Sequence, residues 1–189
     1  MSTIKRWFSK SLPVGVAIIV AGTLISMGCS AVAKQKFDPG VSVPQMIVEP
    51  AAVSLGIAKL TSTPVAFRGK GFEAEDSVFI NLLNVEKNGK TVNVPVAEAE
   101  VDANGNFTAK IGKLVKISEL LRAKLGSNKK METIIIITQP TIAPGTYTAR
   151  AESMVSDRTA ECKLVIKKPS IFDRIKDWIG KLLGKIKKK

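Results

Sequence analysis

Beyond residue 44 the chain alternates apolar and polar positions in short runs, each closed by turn residues: "QMIVEP", "TPVAFRG", "DSVFINLLNV", "KTVNVPVAEAEV", "GNFTAKI", "ETIIIIT", "GTYTARAES" and "RTAECKLVIKK". Side chains on a strand point alternately to its two faces, so these runs predict strands with one face buried. In the last of them Ala160, Cys162, Leu164 and Ile166 share the inner face. In "GTYTARA", Tyr147, Ala149 and Ala151 lie opposite Thr146, Thr148 and Arg150. The stretch Ile134 to Ile137 is apolar on both faces, as suits a central strand covered from both sides. Short strands at this spacing favour an antiparallel sandwich or barrel over an alternating α/β fold.

The punctuation between the runs points the same way. Asn88-Gly89 and Asn104-Gly105 accept the positive φ of tight turns, which predicts two hairpins, and Pro144-Gly145 turns the chain ahead of Tyr147. Residues 34–44, "KQKFDPGVSVP", read as an extended linker, with regular structure starting near Met46. One helical interruption is expected in "KISELLRAKLG", capped by Ser118 and ended by Gly126.

At residue 170 the period changes. Wound at roughly 100° per residue, "SIFDRIKDWIGKLLGKIKKK" gathers Ile171, Phe172, Ile175, Trp178, Ile179, Leu182, Leu183 and Ile186 within an arc of about 140°. Ser170 followed by Asp173 makes a capping-box start, Pro169 breaks the preceding strand, and the closing lysines suit the negative end of a helix dipole. Gly180 and Gly184 fall on the polar side and each weakens an isolated helix by about 1 kcal/mol relative to Ala. Such a helix is expected to form mainly when something covers its apolar face. The candidates are the protein's own body, a bilayer interface, and a partner helix.

Charge separates these candidates. The chain of 189 residues carries a formal net charge of +13, but residues 34–166 are nearly balanced and residues 1–33 hold only Lys5, Arg6 and Lys10. The last 23 positions hold nine Lys or Arg against Asp173 and Asp177, a net of +7. A helix docked on its own domain has no need of so one-sided a charge. Basic residues near an anionic lipid surface contribute about 1 kcal/mol each. The expectation is therefore a membrane contact made by the apolar arc with Lys176, Lys181, Lys185, Lys187, Lys188 and Lys189. Nucleic acid is not expected as a partner, because the basic end lacks serial base-stacking aromatics and no nucleic-acid module is present.

The N-terminus has a basic start, an uncharged apolar stretch from Leu12, and small residues after it, which is the pattern of a secretory signal. Three outcomes stay open: cleavage after Ala31-Val32-Ala33, lipidation of Cys29 behind Gly28, or an uncleaved anchor over Leu12 to Ala33. Residues 1–33 are thus a signal peptide or membrane anchor. The protein is expected to be exported: periplasmic, cell-surface or extracellular. After cleavage only Cys162 survives, so no intrachain disulfide can form.

Catalytic chemistry finds little support. The chain has no His, which removes His-based triads and histidine metal sites. Ser127 and Lys130 fall in a loop rather than on one helix face. "DANGN", Asp102 to Asn106, starts like a calcium loop, but the sixth and twelfth positions hold Phe107 and Lys113. Glu73, Glu75 and Asp76 form an acidic turn. No enzyme activity, metal or cofactor is expected.

Several of these turns carry a resemblance. "FRGKGFEAEDSVFINL", "VDANGNFTAKI", "PGTYTARAES" and a last strand ending "CKLVI" resemble the secreted immunoglobulin-like modules of bacterial surface and exported proteins, including the IPT/TIG-like group. The matching positions are Gly69, Gly71, Phe72, Asp102, Gly105, Phe107, Pro144, Gly145 and Tyr147, over about residues 45–167. The resemblance implies an antiparallel immunoglobulin-like β-sandwich in residues 45–168, with Phe72 plugging its end and Tyr147 bonding backbone at a strand corner. Residues 114–138 are longer than the usual connection. Such modules serve adhesion, spacing and carbohydrate or protein binding. The expected whole is a mainly β, non-catalytic surface or envelope protein with one short inserted helix. A basic amphipathic helix over 169–189 would associate with an anionic membrane or envelope surface. The alternative is an adhesion or protein/carbohydrate-binding module whose last helix packs on the domain or mediates assembly.

Overall fold

The computed structural model describes residues 34–188. The signal or anchor reading of residues 1–33, the lipidation candidate Cys29, and the terminal Lys189 lie outside the described residues.

The described chain is mainly β, in three sheets, with a helix near its C-terminus. The strands are β1 (Gln45–Glu49), β2 (Ala52–Ser54), β3 (Ala66–Lys70), β4 (Ser77–Lys87), β5 (Lys90–Glu100), β6 (Asn106–Lys110), β7 (Ala123–Ser127), β8 (Thr133–Ile137), β9 (Gly145–Ser153), β10 (Thr159–Lys167) and β11 (Ile186–Lys188). The helices are α1 (Ile57–Ser62), a single turn α2 (Lys113–Val115) that continues as a π turn (Lys116–Leu120), and α3 (Ile171–Leu182). One sheet has the order β1-β3-β6, the second β2-β10-β9-β4-β5, and the third β11-β8-β7.

The first two sheets share one core. Val48, Phe67, Phe107 and Ala109 from one pack in the same cluster as Ile80, Leu82, Ala149, Ala151, Leu164 and Ile166 from the other. The period-two pattern explains why: β10 alternates as expected, with Ala160, Cys162, Leu164 and Ile166 inside. Burial pushes the Cys162 thiol up to about 12, so it stays protonated and packs as a small apolar group. The chain links the two sheets at their edge. β1 pairs with β3, and β2 then runs parallel to β10.

The turns divide into one that behaves as expected and one that does not. Asn88 (φ 54°) and Gly89 (φ 73°) close a hairpin between β4 and β5. The second Asn-Gly turn makes no hairpin, because β6 pairs with β3 rather than β5 and the turn carries the chain from one sheet to the other. Its shape is set by Asp102, whose carboxylate accepts from the Asn104 and Asn106 N–H groups, each at 2.9 Å. Gly105 (φ 76°) also lies so close to Phe72 that an added Cβ would sit 2.6 Å from its carbonyl oxygen. Phe72 is buried and meets Phe107 edge-on, with ring centroids 5.1 Å apart.

One further expectation is corrected. The helix anticipated over 116–126 starts earlier, after Gly112, and stops at Arg122, which takes a left-handed φ of 49°. Ser118 sits inside the π turn instead of capping it, and residues 123–127 form β7, which pairs with β8. Gly126 does not end a helix; it makes room for Ile136 across the ladder. The linker is docked as well: Gln35 accepts from Val48 N–H and donates to the Lys163 carbonyl, and Lys34 pairs with Glu49 at 3.0 Å.

β8 is central in its small sheet, but only Ile134 is fully buried and the rest of the Ile run is half-covered. Its second edge is closed by β11, which pairs with it in parallel.

Candidate functional surface

The site is built around α3 and what holds it. Ser170 caps the helix, accepting from Asp173 N–H at 3.1 Å, while the Asp173 carboxylate accepts from Ser170 N–H at 3.0 Å. The other end closes on Gly184 (φ 68°): its N–H reaches the Lys181 carbonyl, and Lys185 N–H reaches the Gly180 carbonyl. That pair of bonds is a Schellman motif, so Gly184 terminates the helix.

The helix docks through its acids. Asp173 is buried at 8% exposure and accepts a 2.7 Å bond from the Ser54 hydroxyl. This bond, together with those of Ser170, holds its carboxyl below the ordinary Asp value against the opposing effect of burial. One turn later, Asp177 accepts from Ile57 N–H at 2.9 Å and Ala58 N–H at 3.1 Å. Those are the first N–H groups of α1, whose own N-cap, Gly56, offers no side-chain cap. Gly56 is small for a second reason, since a Cβ there would lie 2.5 Å from the Asp173 Cβ. Gly180, on the same face, gives way to Ile186, whose Cδ1 would be 2.7 Å from an added Cβ.

Asp173, Asp177 and Gly180 occupy one side of the helix, at the i, i+4, i+7 spacing. The apolar arc is on the opposite side and points away from the body. Phe172 is 77% exposed, Ile171 74%, Leu182 67%, Leu183 62% and Trp178 60%; Ile175 and Ile179 are also exposed. Helical geometry places Lys176 at one border of this arc and Arg174 with Lys181 at the other. All three are exposed.

Of the sequence-predicted contact residues, one is misplaced. Ile186 lies past the helix end, in β11, and is 8% exposed against β8, so it is a core residue and leaves the apolar arc. Lys185, Lys187 and Lys188 are exposed around that strand. The sequence pattern also missed the docking role of Asp173 and Asp177; their i, i+4 spacing opposite the arc was the available signal. Within the described residues the helix is held by its caps and its acidic side, and its apolar face lies open.

Elsewhere the polar clusters serve the fold. The Asp76 carboxylate accepts from the Ser153 hydroxyl, from the Ser156 hydroxyl at 2.9 Å, and from the N–H groups of Ser77, Val155 and Ser156. Those bonds, the Ser153 hydroxyl foremost, pull its carboxyl down to about 2. Tyr147 donates to the Ala143 carbonyl at 2.7 Å. A cleft of about 590 Å³ beside β5 and α2 mixes Glu98 and Glu119 with Lys110, Pro95 and Phe79. Among the described residues no group of three acidic or cysteine side chains could hold a metal ion, and no helix is long and apolar enough to cross a membrane.

No family model and no curated protein matches the chain. Among solved structures it is similar to the β-glucosidase from Listeria innocua in complex with glucose, at 13% identity and a TM-score of 0.33. That likeness covers 65% of this chain and 16% of the length of the glucosidase.

Proposed function

We propose that this is an exported, non-catalytic surface or envelope protein in which an immunoglobulin-like module presents α3 to an anionic membrane surface. The observation that carries the proposal is the orientation of α3: its acids face the body, and its apolar arc with flanking Arg174, Lys176 and Lys181 faces outward. Fully burying one Ile, Leu or Phe side chain contributes about 1.5–3 kcal/mol, so several such residues entering the acyl boundary outweigh a modest cost of association. The helix is already ordered, which removes the entropy of folding it at the surface. Lysines at the borders of the arc can lay their stems along the apolar boundary and keep their charges at the phosphates.

The immunoglobulin-like reading is supported by the division of strands. β3 and β6 lie in one sheet and β4, β9 and β10 in the other, a division that agrees with strands B and E facing C, F and G in such folds. The Tyr147 bond to backbone four residues upstream, near the start of β9, fits the tyrosine corner of such folds. Export rests on the pattern of residues 1–33.

Hydrogen exchange of the full-length protein tests the membrane contact where it should occur. On phosphatidylglycerol vesicles, but not on neutral ones, exchange over 171–183 is expected to slow. The change should vanish in the Ile175→Glu, Leu182→Glu double variant, whose altered positions are exposed and spare the core. Slowing that depends on protein concentration without lipid would favour assembly through α3 and contradict the proposal.

A further inference from the structure

A second surface beneath α3 has a different character. A cleft of about 300 Å³ lies between α1, the π turn, the β7–β8 sheet and the inner flank of α3. Its floor is apolar, with Ile57, Ile117 and Ile186 buried and Leu125 and Ile135 open to it. Gly180 forms part of the wall, and its missing side chain keeps that wall low.

Three lysines, Lys113, Lys176 and Lys185, line the cleft, and no carboxylate does. Among the described residues none of the three is ion-paired. All three are exposed. An apolar trough bordered by unpaired ammonium groups complements a molecule with an apolar tail and an anionic head. At about 300 Å³, the lower end for small-molecule sites, the cleft suits one acyl chain rather than two.

We propose that this cleft binds a single-chain anionic amphiphile of the fatty-acid class. Its carboxylate would lie among Lys113, Lys176 and Lys185, and its chain would run over Ile117, Leu125 and Ile135. The apolar arc of α3 faces away from this cleft, and Lys176 stands on the border between the two surfaces. The groove on that arc, between Ile171, Arg174, Ile175 and Trp178, belongs to the surface already described.

Methyl-labelled full-length protein titrated with dodecanoate below its micellar concentration reads the two surfaces separately. Saturable shifts are expected at the Ile117, Leu125 and Ile135 methyls, with dodecanol binding more weakly. The exposed-site Lys113→Glu, Lys185→Glu double variant should lose about tenfold or more in affinity. Leu125→Trp, which fills the trough, should block binding without touching the charges. Shifts confined to Ile171, Ile175 and Leu182 would overturn the cleft while leaving the membrane contact of α3 intact. Binding indifferent to both variants would overturn it equally.

Discussion

Asp76 shows how much a single side chain fixes in this protein. Its carboxylate gathers the 153–156 turn onto the start of β4, with two N–H donors on one oxygen and two hydroxyls and an N–H on the other. Because its folded value is drawn down to about 2 from an ordinary 3.8, the stability it contributes is fully present above the ordinary value. That contribution is lost as pH falls through about 2. Urea midpoints measured between neutral pH and pH 2 should therefore fall with acid, and Asp76→Ala should flatten that fall and loosen residues 153–158. An unchanged pH profile in the variant would deny Asp76 this role. In the sequence Asp76 was only one acid of three in a turn. What made it different, the donors of a loop some eighty positions away, is a non-local fact that local pattern does not carry.

The last helix was the most legible element and also the most instructive failure. Its start, cap and apolar arc followed from Pro169, Ser170, Asp173 and a 3.6-residue period. Its end did not, because extending the period to Ile186 ignored Gly184, whose left-handed φ ends the helix and frees the next residues to join β8. Three-residue parallel pairing has no local signature. The same reason hid β7, since the apolar residues of "LLRAKLG" fit a helix until the Ile run of β8 offers a ladder. The docking of α3 rests on Asp173 and Asp177. Hydrogen bonds to charged groups contribute about 1.5–3 kcal/mol each, so Asp173→Ala with Asp177→Ala should speed amide exchange over 171–182 by on the order of tenfold or more. Exchange in β4 and β9 should not change. If α3 exchanged as slowly in that variant, packing elsewhere would have to hold it.

At the scale of the molecule, the period-two runs delivered a mainly β body with one shared core. Sheet order was beyond them. The Asn88-Gly89 hairpin obeyed its residues, but the Asn104-Gly105 turn, equally well formed, crosses between sheets because Phe72 and Phe107 pack beside it. The outward face of α3 arises from the same division of labour. The two acids of the tail are consumed in docking, which leaves its outward face carrying only apolar and basic groups. The proposed contact puts this face into an anionic bilayer. Trp178, 60% exposed on the arc, reports on it directly once Trp7, the only other tryptophan, is replaced. In full-length Trp7→Phe protein on phosphatidylglycerol vesicles containing brominated acyl chains, Trp178 emission should shift to the blue and be quenched by the bromines. Emission that stays at the aqueous wavelength, unquenched by bromolipid and still open to a water-soluble quencher, would contradict the claim.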